Sequence, residues 1–105
     1  MAQYDVYVNP NPASRDVVPY VVDVQSRLLD QLNTRLTMPL RALSPAADTL
    51  PHRLVPRLRV AEQTYALYAH QAAVVESRLL KKPVASLAVN SADILGALDA
   101  VVSGV

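Results

Sequence analysis

The residues able to do chemistry are few in this chain, and they are scattered. His52 and His70 stand far apart, and Glu62 and Gln63 precede His70 across what reads as a turn. A structural zinc site takes four ligands and a catalytic one three, so two histidines without a ligand spacing specify no metal, and none is expected. The serines Ser14, Ser26, Ser44, Ser77, Ser86, Ser91 and Ser103 include none in a Gly-x-Ser-x-Gly turn. Nothing ties any of them to a histidine, so they read as turn and cap residues. Asp23 and Gln25, two apart on a strand, project to one side and read as a polar pair on the solvent face. Arg53, Arg57 and Arg59, with Lys81 and Lys82, form a basic patch only if Glu62 and Glu76 leave them free, and a solvated face explains them more simply.

Composition removes whole classes of chemistry. There is no cysteine, which excludes disulfides, thiolate metal sites and a cysteine nucleophile. The two glycines, Gly96 and Gly104, are too few to write a phosphate-cradling loop of the P-loop or dinucleotide type. Ten basic and nine acidic residues give a net charge of +1, which does not ask for a nucleic-acid partner. Apolar residues make up 51% of the chain without any run of the roughly 20 that a bilayer span needs. The start, Met1 to Asp5, has neither a basic nor an apolar leader region, so a cytoplasmic protein is expected, with no membrane partner, no cofactor and no small-molecule substrate. A length of 105 residues suits one domain over 1–105.

The elements that would position these residues are mostly strands. Tyr4, Val6 and Val8 alternate with Asp5 and Tyr7, and Tyr20, Val22 and Val24 alternate with Val21, Asp23 and Gln25. Between them, residues 9 to 14 are largely proline and asparagine, which make turns. Leu36, Met38 and Leu40 continue the alternation, but Pro39 lacks the N–H of a central strand and points to a sheet edge or a bulge. Residues 44 to 52 follow neither period. Arg57 to Val60 and Tyr65 to Ala69 read as a hairpin turning at Glu62 and Gln63. Short apolar pieces at 72–75 and around Leu79 and Leu80 are read as further strands. From Ile94 the period becomes helical, with Leu95, Leu98, Val101 and Val102. Asn90 or Ser91 can cap that helix, and Gly104 can end it. The result is an α+β chain, mostly β, as a small antiparallel barrel or sheet with a helix at its side.

Two features of the helix suggest contacts with other proteins. Gly96, Ala97 and Ala100 give one face small side chains that admit a second backbone, and an isologous dimer contact is expected there or at the adjoining strands. The apolar end, from Ala100 to Val105, runs almost to the last residue without a polar exit and reads either as packing on the barrel or as part of an interface.

In order along the chain, Val6, Tyr7 and Asn9, then Pro19, Tyr20, Val22, Asp23, Val24, Gln25, Ser26, Leu28 and Leu29, then Asn33, Thr34, Arg35, Leu36, Pro39 and Leu40 resemble the CcdB toxins. The resemblance continues through Leu54, Pro56, Pro83 to Leu87, Ile94, Ala97, Leu98 and Ser103 to Val105. It implies an SH3-like barrel of the CcdB/MazF kind with a C-terminal helix, and a homodimer acting as the toxin of a toxin–antitoxin pair. It implies no catalysis, but binding to the A subunit of DNA gyrase that traps the cleaved gyrase–DNA complex. A CcdA-like antitoxin would neutralise the toxin and join it in repressing their operon, with operator DNA bound only together with the antitoxin. In the best-known members a Trp-Gly-Ile sequence at the helix end touches gyrase, and here Ser103, Gly104 and Val105 stand there. Asp99, Leu28 and Leu29 resemble other parts of that surface. MazF toxins share the barrel and cleave RNA with an arginine and a hydroxyl, roles that Arg15, Arg35 and Thr34 would have to fill. A dimeric regulator derived from a toxin is a third reading, raised by the missing tryptophan.

Overall fold

The structure is a computed structural model and describes residues 2–104. Seven strands form one antiparallel sheet: β1 (Asp5–Val8), β2 (Tyr20–Asp23), β3 (Thr34–Ala42), β4 (Arg57–Val60), β5 (Gln63–Leu67), β6 (Ala73–Glu76) and β7 (Ala85–Ser86). Their order is β4-β5-β3-β2-β1-β7, with β6 also on β3, so that the sheet curls into a nearly closed barrel. Two α-helices complete it, α1 (Pro45–Asp48) and the C-terminal α2 (Ser91–Ser103). The small barrel with a C-terminal helix expected from the sequence is the fold observed.

Long β3 organises the sheet. Its first half pairs with β6, Thr34 opposite Glu76, and its second half with β5, Leu40 opposite Leu67, while β2 runs along the other side. Pro39 therefore sits within a central strand, against the expectation of an edge. The N–H and C=O of one residue point to the same side of a strand. The Pro39 carbonyl accepts from the Tyr68 N–H at 3.0 Å, so its missing N–H also faces the gap between β5 and β6, where no ladder bond is lost.

The β4–β5 hairpin forms as expected, one residue earlier than read: Val60 pairs with Gln63 around Ala61 and Glu62. Both turn residues have positive φ, 53° and 66°, the type I′ geometry that matches strand twist and ordinarily selects Asn-Gly. The segment near Leu79 is a single 3-10 turn, Ser77–Leu79, rather than a strand, and the two-residue β7 carried no signal of its own in the sequence.

Both faces of the sheet are covered. On one, Val6, Val22, Val24, Met38, Leu40, Leu58, Val60 and Leu67 build the main core, which Ile94 and Ala97 of α2 complete. On the other, Tyr7, Val21 and Leu80 cluster under Val18 and Val75. A third cluster of Ala47, Val55, Ala66 and Tyr68 seats α1. Burial on both sides accounts for the adjacent apolar pairs Val6-Tyr7 and Val21-Val22, which a strand with one solvated face would not carry.

Candidate functional site

Helix α2 is held by Ile94 and Ala97, both fully buried, with Leu98 packed beside them. Ala97 was expected on a face free for a partner, and that expectation is corrected: its methyl lies inside its own chain's core. Gly96 and Ala100 remain half-buried, and a methyl added at Gly96 meets no atom within 4 Å. Leu95, Val101 and Val102 face outward, Val102 79% exposed.

The helix ends at Gly104, whose φ of +69° is the left-handed cap, with its N–H donating to the Ala100 carbonyl at 3.0 Å. Ser103 is exposed, and its hydroxyl donates back to the Asp99 carbonyl at 2.7 Å. Its polar group is thus satisfied within the helix. The Asp99 side chain faces solvent and has no ion-pair partner among the described residues. Pro51, Arg53 and Leu54 line a shallow cleft of about 280 Å³ beside Ala100 and Gly104, which brings a cation to the carbonyl end of the helix. Val105 lies outside the described residues.

Leu28 and Leu29 lie elsewhere, on the 3-10 turn Arg27–Leu29 between β2 and β3, 92% and 47% exposed. Among the described residues no hydrogen bond or salt bridge joins this turn to α2. Ser26 caps the turn, its hydroxyl accepting from the Leu28 N–H at 3.1 Å.

Beneath this turn lies a polar cluster that overturns the solvent-face reading of Asp23 and Gln25. Asp23 is 0% exposed and Gln25 6%. The guanidinium of Arg35 donates from Nε to Asp23 Oδ2 at 2.8 Å and from Nη1 to Asp30 Oδ1 at 2.9 Å. Its Nη2 lies 2.7 Å from the same Asp23 oxygen, but off the hydrogen-bonding direction, so it contributes charge contact without an aligned bond. Burial works against the Arg35 charge, and the bonds to Asp30 and Asp23 together outweigh it, holding the guanidinium above its ordinary value. Asp23 Oδ1 accepts from the Gln25 N–H at 3.0 Å. On the same side Thr37 donates to the Ala73 carbonyl at 3.0 Å. Burial, with the negative charges of Asp5 and Asp23, raises the Tyr7 phenol, and Arg35 opposes that only in part. The paired apolar neighbours Val21-Val22 were a partial signal, since they fit a strand buried on both faces, but they do not name what covers Asp23.

The remaining sequence candidates disperse. His52 and His70 are exposed, and His70 stacks on Tyr68 with centroids 5.2 Å apart, away from any metal cluster. No group of three His, Cys, Asp or Glu side chains forms among the described residues. Arg57 pairs with Asp48 at 3.1 Å, Arg59 donates to the Glu62 carbonyl at 3.1 Å, and Arg53 lines the cleft beside α2, so Arg57 and Arg59 are engaged within the chain itself. Arg15 donates to the Asn9 carbonyl at 2.6 Å and lines a separate cleft with Lys81 and Lys82. Thr34 lines a cleft with Asn33, Glu76, Ser77 and Arg78. No helix among the described residues is long and apolar enough to cross a membrane.

A search of curated proteins finds no match. The profile of the CcdB protein family, in contrast, matches residues 3–104, nearly the whole chain and all of the barrel and helix described above. The chain therefore belongs to the CcdB family, the toxin side of CcdA/CcdB-type toxin–antitoxin systems.

Proposed function

We propose that this chain binds the A subunit of DNA gyrase and traps the cleaved gyrase–DNA complex, using Asp99, Ser103, Gly104 and Val105 at the end of α2 together with Leu28 and Leu29. The observation that carries this reading is the state of the helix end. Ile94 and Ala97 anchor α2 to the barrel, while Val102, Ser103 and Gly104 are left exposed with Val102 at 79%. Exposed apolar side chains on a rigid, capped helix can bind at little ordering cost. The chain is one domain without catalytic groups or cofactor, works in the cytoplasm as a homodimer, and is neutralised by a CcdA-like antitoxin with which it represses its operon. Titrating the gyrase protein against the chain by calorimetry, beside a gyrase cleavage assay, tests the reading: absence of both binding and trapped complex would remove it.

One observation favours the regulator reading. The hydroxyl of Ser103 is bonded to its own helix at Asp99, where an aromatic face would otherwise offer a target arginine a stacking surface worth about 1 to 2 kcal/mol when desolvated. The RNA-cleaving reading has less support, because the Arg35 side chain is 3% exposed and engaged by two carboxylates, out of reach of a phosphate. Incubation with RNA separates that reading from the other two.

A further inference from the structure

The loop that carries Leu28 and Leu29, residues 26–33, has no strand partner, yet it is fastened from below at several points. The side-chain amide of Gln25 donates from Nε2 to the Leu29 carbonyl at 3.1 Å and to the Thr34 carbonyl at 3.0 Å. Its Oε1 accepts from the Leu36 N–H at 2.9 Å. One buried amide thus ties the middle of the loop to its far end and to β3, with both donor hydrogens used. Arg35, fixed on Asp23, supplies a second fastening through Asp30 Oδ1 at 2.9 Å. Ser77 supplies a third, its N–H and hydroxyl donating to the Asn33 carbonyl at 2.9 and 3.1 Å. Above these anchors Leu28 stands 92% exposed, although a leucine side chain without a contact does nothing to stabilise the fold. A satisfied buried network under a loop that displays bare leucines is the arrangement of a preorganised contact, in which the entropy of ordering has already been spent on folding.

We propose that Gln25, with the Arg35–Asp30 pair, is a positioning residue: it holds the 26–33 loop in one conformation so that Leu28 and Leu29 meet gyrase as a preformed apolar contact. This rests on the reading of those two leucines as target-facing. Gln25 touches no partner itself and acts only through the loop.

The test uses Gln25→Met and Asp30→Ala in the full chain, with amide hydrogen exchange and gyrase binding measured on each. Asp30 is partly exposed, so its variant keeps the buried Asp23–Arg35 contact and tests the clamp even if Gln25→Met fails to fold. Exchange at the Leu29, Asp30 and Leu32 amides should accelerate about tenfold, the size that one or two lost hydrogen bonds allow, while Val22 and Met38 keep their protection. Binding should weaken about three- to tenfold in each variant, and not further when Leu28→Ala and Leu29→Ala are already present together. Unchanged loop exchange, or acceleration spread evenly through β2 and β3, overturns the clamp. Losses that add to that of the Leu28→Ala, Leu29→Ala double variant overturn the positioning role. If the Leu28→Ala, Leu29→Ala double variant binds gyrase as well as the native chain while the loop of the Gln25 and Asp30 variants still loosens, the target-facing reading fails and takes the presentation role with it, leaving the clamp as a feature of the fold alone.

Discussion

Asp23 and Arg35, diagonal neighbours across β2 and β3 with Thr37 directly opposite Asp23, meet at a single oxygen: Arg35 Nε and Nη2 lie 2.8 and 2.7 Å from Asp23 Oδ2, with both side chains buried. Taking two charges out of water costs several kcal/mol each, and the contact between them is the main offset, helped by Asp30 on Arg35 and the Gln25 N–H on Asp23. Removing either partner should therefore be worse than removing both. Asp23→Asn or Arg35→Met should each cost about 3 to 5 kcal/mol, whereas the double change to Leu and Met should recover most of the loss. Urea unfolding of the three variants measures this, and a double variant no more stable than the singles would contradict it.

Stability should fall as the solution becomes alkaline. The Tyr7 phenol, and Tyr65 with it, is raised above its ordinary value, by burial in the first place. A group whose folded value is raised contributes stability that is complete below the ordinary phenol range of about 10 and is lost as pH rises through the folded value. Chemical denaturation between neutral pH and about 11 should show this decline, and Tyr7→Phe should flatten it. A Tyr7→Phe profile identical to the native one would rule Tyr7 out as its source.

The Ala61-Glu62 turn holds two non-glycine residues at positive φ, each a strained conformation. Replacing them by Asn and Gly, the pair such turns select, should raise stability by about 1 kcal/mol, since the Glu62 carbonyl that Arg59 uses is retained. An unchanged melting temperature would mean that the turn is relaxed in solution.

Gly96 gives a clean test of the proposed homodimer. A methyl there meets nothing in its own chain, and a helix-interior Gly→Ala change stabilises by about 0.5 to 1 kcal/mol. Gly96→Ala should therefore raise the melting temperature. Any weakening of the dimer by light scattering would have to arise from a second copy packed on Gly96. Ala97→Arg, in contrast, should unfold the chain itself, because it forces a charge into the main core.

At the tail, removing residues 103–105 should spare stability, since the anchoring residues Ile94 and Ala97 are untouched, and should abolish gyrase binding. Ser103→Trp should tighten that binding about tenfold by restoring an aromatic face. Melting curves and calorimetry on both variants decide the outcome. Lost stability on truncation would make the tail a packing element, and a tryptophan variant that still ignores gyrase would favour the regulator reading.

Local pattern was enough to read the strands near Val6, Val22, Met38, Leu58 and Tyr65 and the helix ending at Gly104, because period-2 and helical spacing record which side chains must leave water. The same spacing could not tell which faces stay buried once the sheet closes. Asp23 and Gln25 alternate with valines as a solvated pair would, and only the 26–33 loop folding over that face turns them into the Arg35 and Leu29 anchors. Ala97 reads as a small residue open to a partner, and the docking angle of α2 makes it core instead. Pro39 shows the limit most directly. Its missing N–H argues for an edge in any isolated strand, and it is tolerated in the centre because β5 and β6 leave a gap opposite it, a relation among three strands that no single segment contains.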